Sequence, residues 1–140
     1  MLKIKIYSFS YINGQLPHDA SGNGGGFLFD CRALPNPGRL EAYKHLTGKD
    51  LPVIQFLLKE REVHQFLDSV YNLAEQSVEK YLDRGFTHLM IGFGCTGGQH
   101  RSVFSAEQLS QHLAEKFDDV IIVVRHLARE EADNKDKGDV

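Results

Sequence analysis

The chain predicts an α/β fold: one domain with a mixed, largely parallel sheet, flanked by helices and carrying a strand-loop-helix anion cradle. Three observations lead there. Short apolar runs alternate with longer stretches of helical periodicity along the 140 residues, the order that builds a sheet covered by helices. Residues 87–124 read as a strand, helix, strand unit, and such units are parallel and right-handed, with ligands beyond the carboxyl ends of their strands. At that edge lies Gly94-Cys95-Thr96-Gly97-Gly98-Gln99-His100-Arg101-Ser102-Val103, whose glycines let backbone N–H groups and the positive end of a helix converge on one point. With 41% hydrophobic and 25% charged residues, a chain of this size buries a single core without disulfides or metal.

Each element has its own justification. Residues 3–11 alternate lysine and apolar side chains as a half-buried strand does. The opening Met1-Leu2-Lys3-Ile4-Lys5-Ile6 has neither the continuous apolar region nor the cleavage site of a secretion signal. Residues 13–19 are rich in turn formers. Ser21-Gly22-Asn23-Gly24-Gly25-Gly26 suits a flexible loop, and Phe27-Leu28-Phe29-Asp30-Cys31 resumes a short buried strand. Pro35 and Pro37 keep residues 32–38 irregular. Thr47-Gly48-Lys49 makes a turn, after which Asp50 caps a short helix reaching Leu58, with Pro52 in its first turn. From 60 to 83, Val63, Phe66, Leu67, Val70, Leu73, Ala74, Val78, Tyr81 and Leu82 recur at helical spacing, and Gly85 is placed to terminate them. Residues 87–93 then form a buried strand, 102–117 a helix with Val103, Ala106, Leu109 and Leu113 on one face, and 120–124 a last strand. The domain is expected to span residues 1–129, and residues 130–140, with almost no apolar content, to form a disordered tail.

In chemical terms, the cradle offers Cys95, Thr96, Gly97, Gly98, His100 and Arg101 to a phosphate or sulfate. Main-chain amides meet its oxygens, the guanidinium grips two of them, and the imidazole adds a titratable donor. Positive charge at a helix start is unfavourable, and a bound anion would offset that cost. The same run fits the Cys-x-x-Gly-x-x-Arg spacing of cysteine-dependent phosphatases, in which a strand-to-helix loop lowers the thiol pKa. Cys95 and Arg101 would then be catalytic, Gly94 stands where those enzymes usually carry a histidine, and the proton donor would be Asp19 or Asp30. The alternative for Cys95 is a small buried residue at a strand end. Asp30, Arg32 and Asn36 either wall the pocket and bond sugar hydroxyls, or Asp30 and Arg32 form a structural pair. Arg125-His126 either adds charge to the pocket or closes a solvated strand end.

Several classes are excluded. No Gly-x-x-x-x-Gly-Lys-Ser/Thr occurs, so a Walker-type ATP site is not expected. Cys31 and Cys95 lack metal-type spacing, so no disulfide framework, metal or other cofactor is expected, and the reading is a cytoplasmic protein with free thiols and no membrane association. A net charge of −3 with a pI near 6.1 gives no global pull toward nucleic acid. RNA binding needs a local patch, for which Arg39, Lys44, Lys49 and Arg125 are the candidates.

Four motifs stand in one order: Phe29-Asp30-Cys31-Arg32 with Leu34-Pro35-Asn36-Pro37; Leu46-Thr47-Gly48-Lys49-Asp50-Leu51-Pro52-Val53; the run from Gly94 to Val103; and Arg125-His126. In these the chain resembles the C-terminal domain of the RNase adapter protein RapZ, from Lys3 to about Arg129. The resemblance implies an α/β domain similar to phosphofructokinase subdomains and a pocket for an amino-sugar phosphate such as glucosamine-6-phosphate. It further implies a surface that presents small RNA to a ribonuclease, and assembly into a homo-oligomer. Carried over by position, Cys95, Thr96, Gly97, Gly98, His100 and Arg101 would surround the phosphate, with Asp30, Arg32 and Asn36 in the pocket wall. The implied role is that of a sensor or adapter rather than an enzyme. The chain departs from the family pattern where Gly38-Arg39 replace a histidine or aromatic pair and where Leu127 interrupts an Arg-His-Arg ending. The Walker-bearing domain that opens full-length members has no counterpart in this sequence, so its ATPase or GTPase activity is not carried over.

Overall fold

A computed structural model describes residues 1–23 and 25–138, the side chains of 134–138 excepted. Gly24 of the expected flexible loop and residues 139–140 of the expected tail lie outside the described residues. Alternation sets the first strand, β1 (Leu2–Ser10): Leu2, Ile4 and Ile6 are buried while Lys3 and Lys5 are half-buried. Strands β2 (Gly26–Asp30), β3 (His88–Cys95) and β4 (Val120–His126) join it in the order β2-β3-β1-β4. All three pairings are parallel. The sheet, expected to be largely parallel, is wholly parallel among the described residues, and its four carboxyl ends meet at one edge.

Register then decides the core. Ile4 pairs with Leu89 and Ile122, Ile6 with Ile91 and Val124, and Phe29 with Phe93. Paired residues of a parallel sheet share a face, so these side chains make one continuous apolar layer. Against it pack helices α1 (Leu51–Leu58), α2 (Arg61–Arg84) and α3 (Arg101–Lys116), through residues such as Leu57, Leu67, Ala74, Phe104 and Leu109. The α2 stripe is the expected one except at Leu73, which is exposed. It lies one residue from Ala74, a rotation of about 100° that carries it off the buried face. Gly85 ends α2 in the left-handed conformation. Asp50 stands at the start of α1, but its carboxylate turns back to accept from the Thr47 N–H at 2.7 Å and so closes the preceding turn.

The β1-to-β2 connection and the β3-to-β4 connection move across the sheet in opposite directions, so right-handed crossing puts them on opposite faces. Pro17 of the first connection indeed sits against Gly92, on the face away from the core layer. Beyond β4, α4 (Leu127–Gly138) starts at the residue after the strand, on Leu127, Ala128, Arg129, Glu130 and Glu131, whose backbone preference is helical. Among the described residues no helix is long and apolar enough to cross a membrane.

Candidate functional site

At the carboxyl edge, β3 ends at Cys95 and α3 begins at Arg101, leaving residues 96–100 as the loop between them. Thr96 and Gly97 are exposed at its tip, while Gly98 is buried. Gly98 has φ +67, and a Cβ there would come within 2.5 Å of the Ala128 Cβ and 3.0 Å of the Ser10 N. The turn is thus wedged between β1 and the first turn of α4, where only glycine fits. A Cβ on Gly97 meets nothing within 4 Å. Among the described residues, neither Gly97 nor Gly98 finds an acceptor for its main-chain N–H. Ser10 fixes the loop's first residue, donating from Oγ to the Thr96 carbonyl at 2.6 Å.

The three residues that close the loop are anchored to the chain between β2 and α1. Gln99 Nε2 donates to the carbonyls of Lys44 and Leu46 at 2.8 and 2.7 Å. His100 is 8% exposed and donates from Nε2 to the Tyr43 carbonyl at 2.9 Å. Burial, with the charges of Arg129 and Arg101, holds its imidazole below the ordinary value. The Arg101 guanidinium is 5% exposed, and its Nη1 donates to the carbonyls of Arg32 (2.8 Å) and Leu34 (3.1 Å). These oxygens offset part of the cost of a cation at a helix start. Its Nε is buried with no partner, a state that is costly for an N–H donor.

The cysteines belong to the core. Cys95 is 3% exposed, and its thiol donates to Ser102 Oγ at 3.1 Å. Cys31 is fully buried, and burial pushes its thiol up to about 12. Asp30 and Arg32 form the structural pair, a fork closed at 2.7 Å with both side chains about half exposed. That fork holds the Asp30 carboxyl below the usual carboxylate range, which makes it a poor proton donor near neutral pH. Asn36 accepts from the Gly38 N–H at 2.9 Å. A Cβ on Gly38 would lie 3.0 Å from Asn36 Oδ1 and 3.1 Å from His100 Nδ1, so these three residues meet.

Sequence reasoning missed three contributors. Tyr11 carries the Arg32 guanidinium 4.1 Å over its ring and donates its N–H to the Cys95 carbonyl at 3.0 Å. Ser10 braces the loop, and its signal was a polar residue on the buried face of an apolar strand. Gly48 faces the start of α3, and a Cβ there would come within 2.3 Å of both the His100 O and the Phe104 N. A cavity of about 850 Å³ is walled by Tyr7, Gln15, His18, Arg125 and Glu131 among others, and none of residues 96–101 lines it.

Residues 2–129 match the family described as the RapZ C-terminal domain. The chain belongs to that family. Relatives include nucleotide-binding proteins from Acidobacterium capsulatum, 41% identical over 81% of this chain, from Thermobifida fusca, 38% over 92%, and from Actinobacillus pleuropneumoniae serotype 5b, 40% over 91%. The chain spans 35%, 42% and 43% of those three proteins respectively.

Proposed function

We propose that this RapZ C-terminal domain is a sensor or adapter that binds a phosphorylated small molecule, an amino-sugar phosphate such as glucosamine-6-phosphate or a nucleotide. The observation that carries the reading is the buried, unpartnered Arg101 Nε beside a loop whose Gly97 and Gly98 amides are also without acceptors. Orphaned donors at a helix N-terminus suit an oxyanion. Cys95, Thr96, Gly97, Gly98, His100 and Arg101 form or support the seat, with Asp30, Arg32 and Asn36 at its side toward the sugar. The nucleotide option draws on the names of the relatives.

Isothermal calorimetry with glucosamine-6-phosphate, glucose-6-phosphate, GMP and inorganic phosphate tests this. Binding that needs the phosphate group and weakens at least about tenfold in Arg101→Ala supports it. Equal heats from glucosamine and its phosphate sink it. The reading also extends to RNA through Arg39, Lys44, Lys49 and Arg125, and a gel shift insensitive to salt argues against that extension. The phosphatase alternative keeps one supporting contact, Ser102 on the Cys95 thiol, but the thiol's burial opposes it. Turnover of a generic phosphomonoester that Cys95→Ser abolishes would reinstate it.

A further inference from the structure

Outside the loop, polar side chains at the sheet's carboxyl edge form a second constellation. In the parallel register Ser8 stands beside His126, the last residue of β4. Ser8 is fully buried, and its Oγ lies 2.7 Å from His126 Nδ1. On the other side of the ring, Nε2 lies 2.7 Å from Glu107 Oε1 on α3. The chemistry fixes the direction of both bonds. An ionised carboxylate only accepts, so Nε2 carries a proton and donates to Glu107, and in the neutral imidazole Nδ1 is then a lone pair that accepts from the Ser8 hydroxyl. With no exposed surface, Ser8 is no nucleophile for a substrate. The chain Ser8–His126–Glu107 instead ties together β1, β4 and α3.

What it ties matters for the loop. Two residues along the same face of β1 from Ser8 is Ser10, whose hydroxyl holds the Thr96 carbonyl. Immediately after His126, α4 begins, and Ala128 is the side chain against which Gly98 is wedged. The Arg129 charge is felt at His100. Both walls of the Gly98 turn, the end of β1 and the start of α4, thus leave from residues that the relay joins. Buried, fully satisfied polar chains rigidify what they connect.

We propose that Ser8, His126 and Glu107 are positioning residues of the oxyanion loop, holding β1 and α4 at the separation that keeps residues 96–98 open to a ligand. This rests on the reading of the loop as a phosphate site, and the test separates the two. Nitrogen-15 NMR of the native protein reads the His126 tautomer and the Gly97, Gly98 and Ala128 amide signals in wild type, Glu107→Ala, Glu107→Gln and Ser8→Ala. Calorimetry with inorganic phosphate runs in parallel.

A wild-type His126 protonated at Nε2, loop amides displaced in Glu107→Ala and restored in Glu107→Gln, and a phosphate affinity lowered about tenfold in Glu107→Ala alone of that pair are expected. Glu107 is partly exposed, so its alanine variant keeps the fold, and Ser8→Ala checks the buried end by the same signals. A ring protonated at Nδ1 alone, or loop amides unmoved in both alanine variants, overturns the relay. Wild type that binds no phosphate refutes the ligand reading, and the amide signals still decide the relay.

Discussion

The glycine pair at the loop tip gives the sharpest contrast. Gly98→Ala forces a left-handed backbone at φ +67 on a residue with a Cβ, at about 1–2 kcal/mol. The new methyl also meets the Ala128 Cβ at 2.5 Å and β1 backbone atoms at 3.0–3.1 Å, none of which can rotate away, and such overpacking costs about 1–3 kcal/mol. The sum, about 2–5 kcal/mol, is a large share of the stability of a domain this size. At roughly 3 °C per kcal/mol the melting temperature falls by about 6–15 °C. Gly97→Ala meets nothing within 4 Å and needs no unusual φ, so its stability stays within about 0.5 kcal/mol of wild type. Its methyl nevertheless intrudes on the open side of the loop, where an oxyanion would approach the Gly97 amide, and phosphate affinity should drop. Circular-dichroism melts and phosphate calorimetry on both variants make the comparison. A Gly98→Ala melt within about 2 °C of wild type would refute the wedging of the loop by α4, and Gly97→Ala binding phosphate as tightly as wild type would refute the position of the ligand.

Two further outcomes are expected. Both thiols should be silent toward an aromatic disulfide reagent in the native protein and react in full once it is unfolded, because Cys95 and Cys31 are buried and burial pushes Cys31 up to about 12; a thiol that reacts in seconds under native conditions contradicts the placement of Cys95. His100 is held below its ordinary 6.5, chiefly by burial, so the stability it contributes is full above the unfolded value and is lost as pH falls toward the lowered folded value. Denaturant midpoints between about pH 7 and about pH 5 should therefore fall more steeply in wild type than in His100→Asn, and parallel curves would rule this out.

The parts of the fold that local patterns determine were legible. Alternation of lysine with Leu2, Ile4 and Ile6 marks β1, and the recurrence of Val63, Leu67, Val70, Ala74 and Val78 marks α2. Helical spacing alone assigned Leu73 to the stripe, because it tests separation and not which side of the helix the neighbours occupy. In the site, the glycine-rich junction of β3 and α3 was visible from Gly94 to Arg101. The roles of individual residues were not, because they depend on partners far along the chain. His100 and Arg101 were expected at the ligand; their bonds to the carbonyls of Tyr43, Arg32 and Leu34 were not readable from the motif. Ser8 and Ser10 were the unread signal, two hydroxyls on a face that is otherwise apolar.

That dependence on distant partners also explains why motifs lying fifty residues apart occur together. The Thr47-Gly48-Lys49 turn reads in isolation as punctuation before α1. In the structure Gly48 presses on the first turn of α3 so closely that any side chain would collide with the His100 and Phe104 backbone at 2.3 Å. The Gly48 N–H donates to the Gln99 carbonyl at 3.0 Å, while the Gln99 side chain returns to Lys44 and Leu46. The two motifs are one structural unit, a loop backed by a turn that permits no Cβ. Residues 99–101 hold the segment from 32 to 48 in place, and that segment in turn holds the start of α3. The loop that carries Thr96, Gly97 and Gly98 is thus braced, through residues 99–101, by main-chain carbonyls of residues 32–46. A substitution in that region should disturb the loop before it disturbs the sheet.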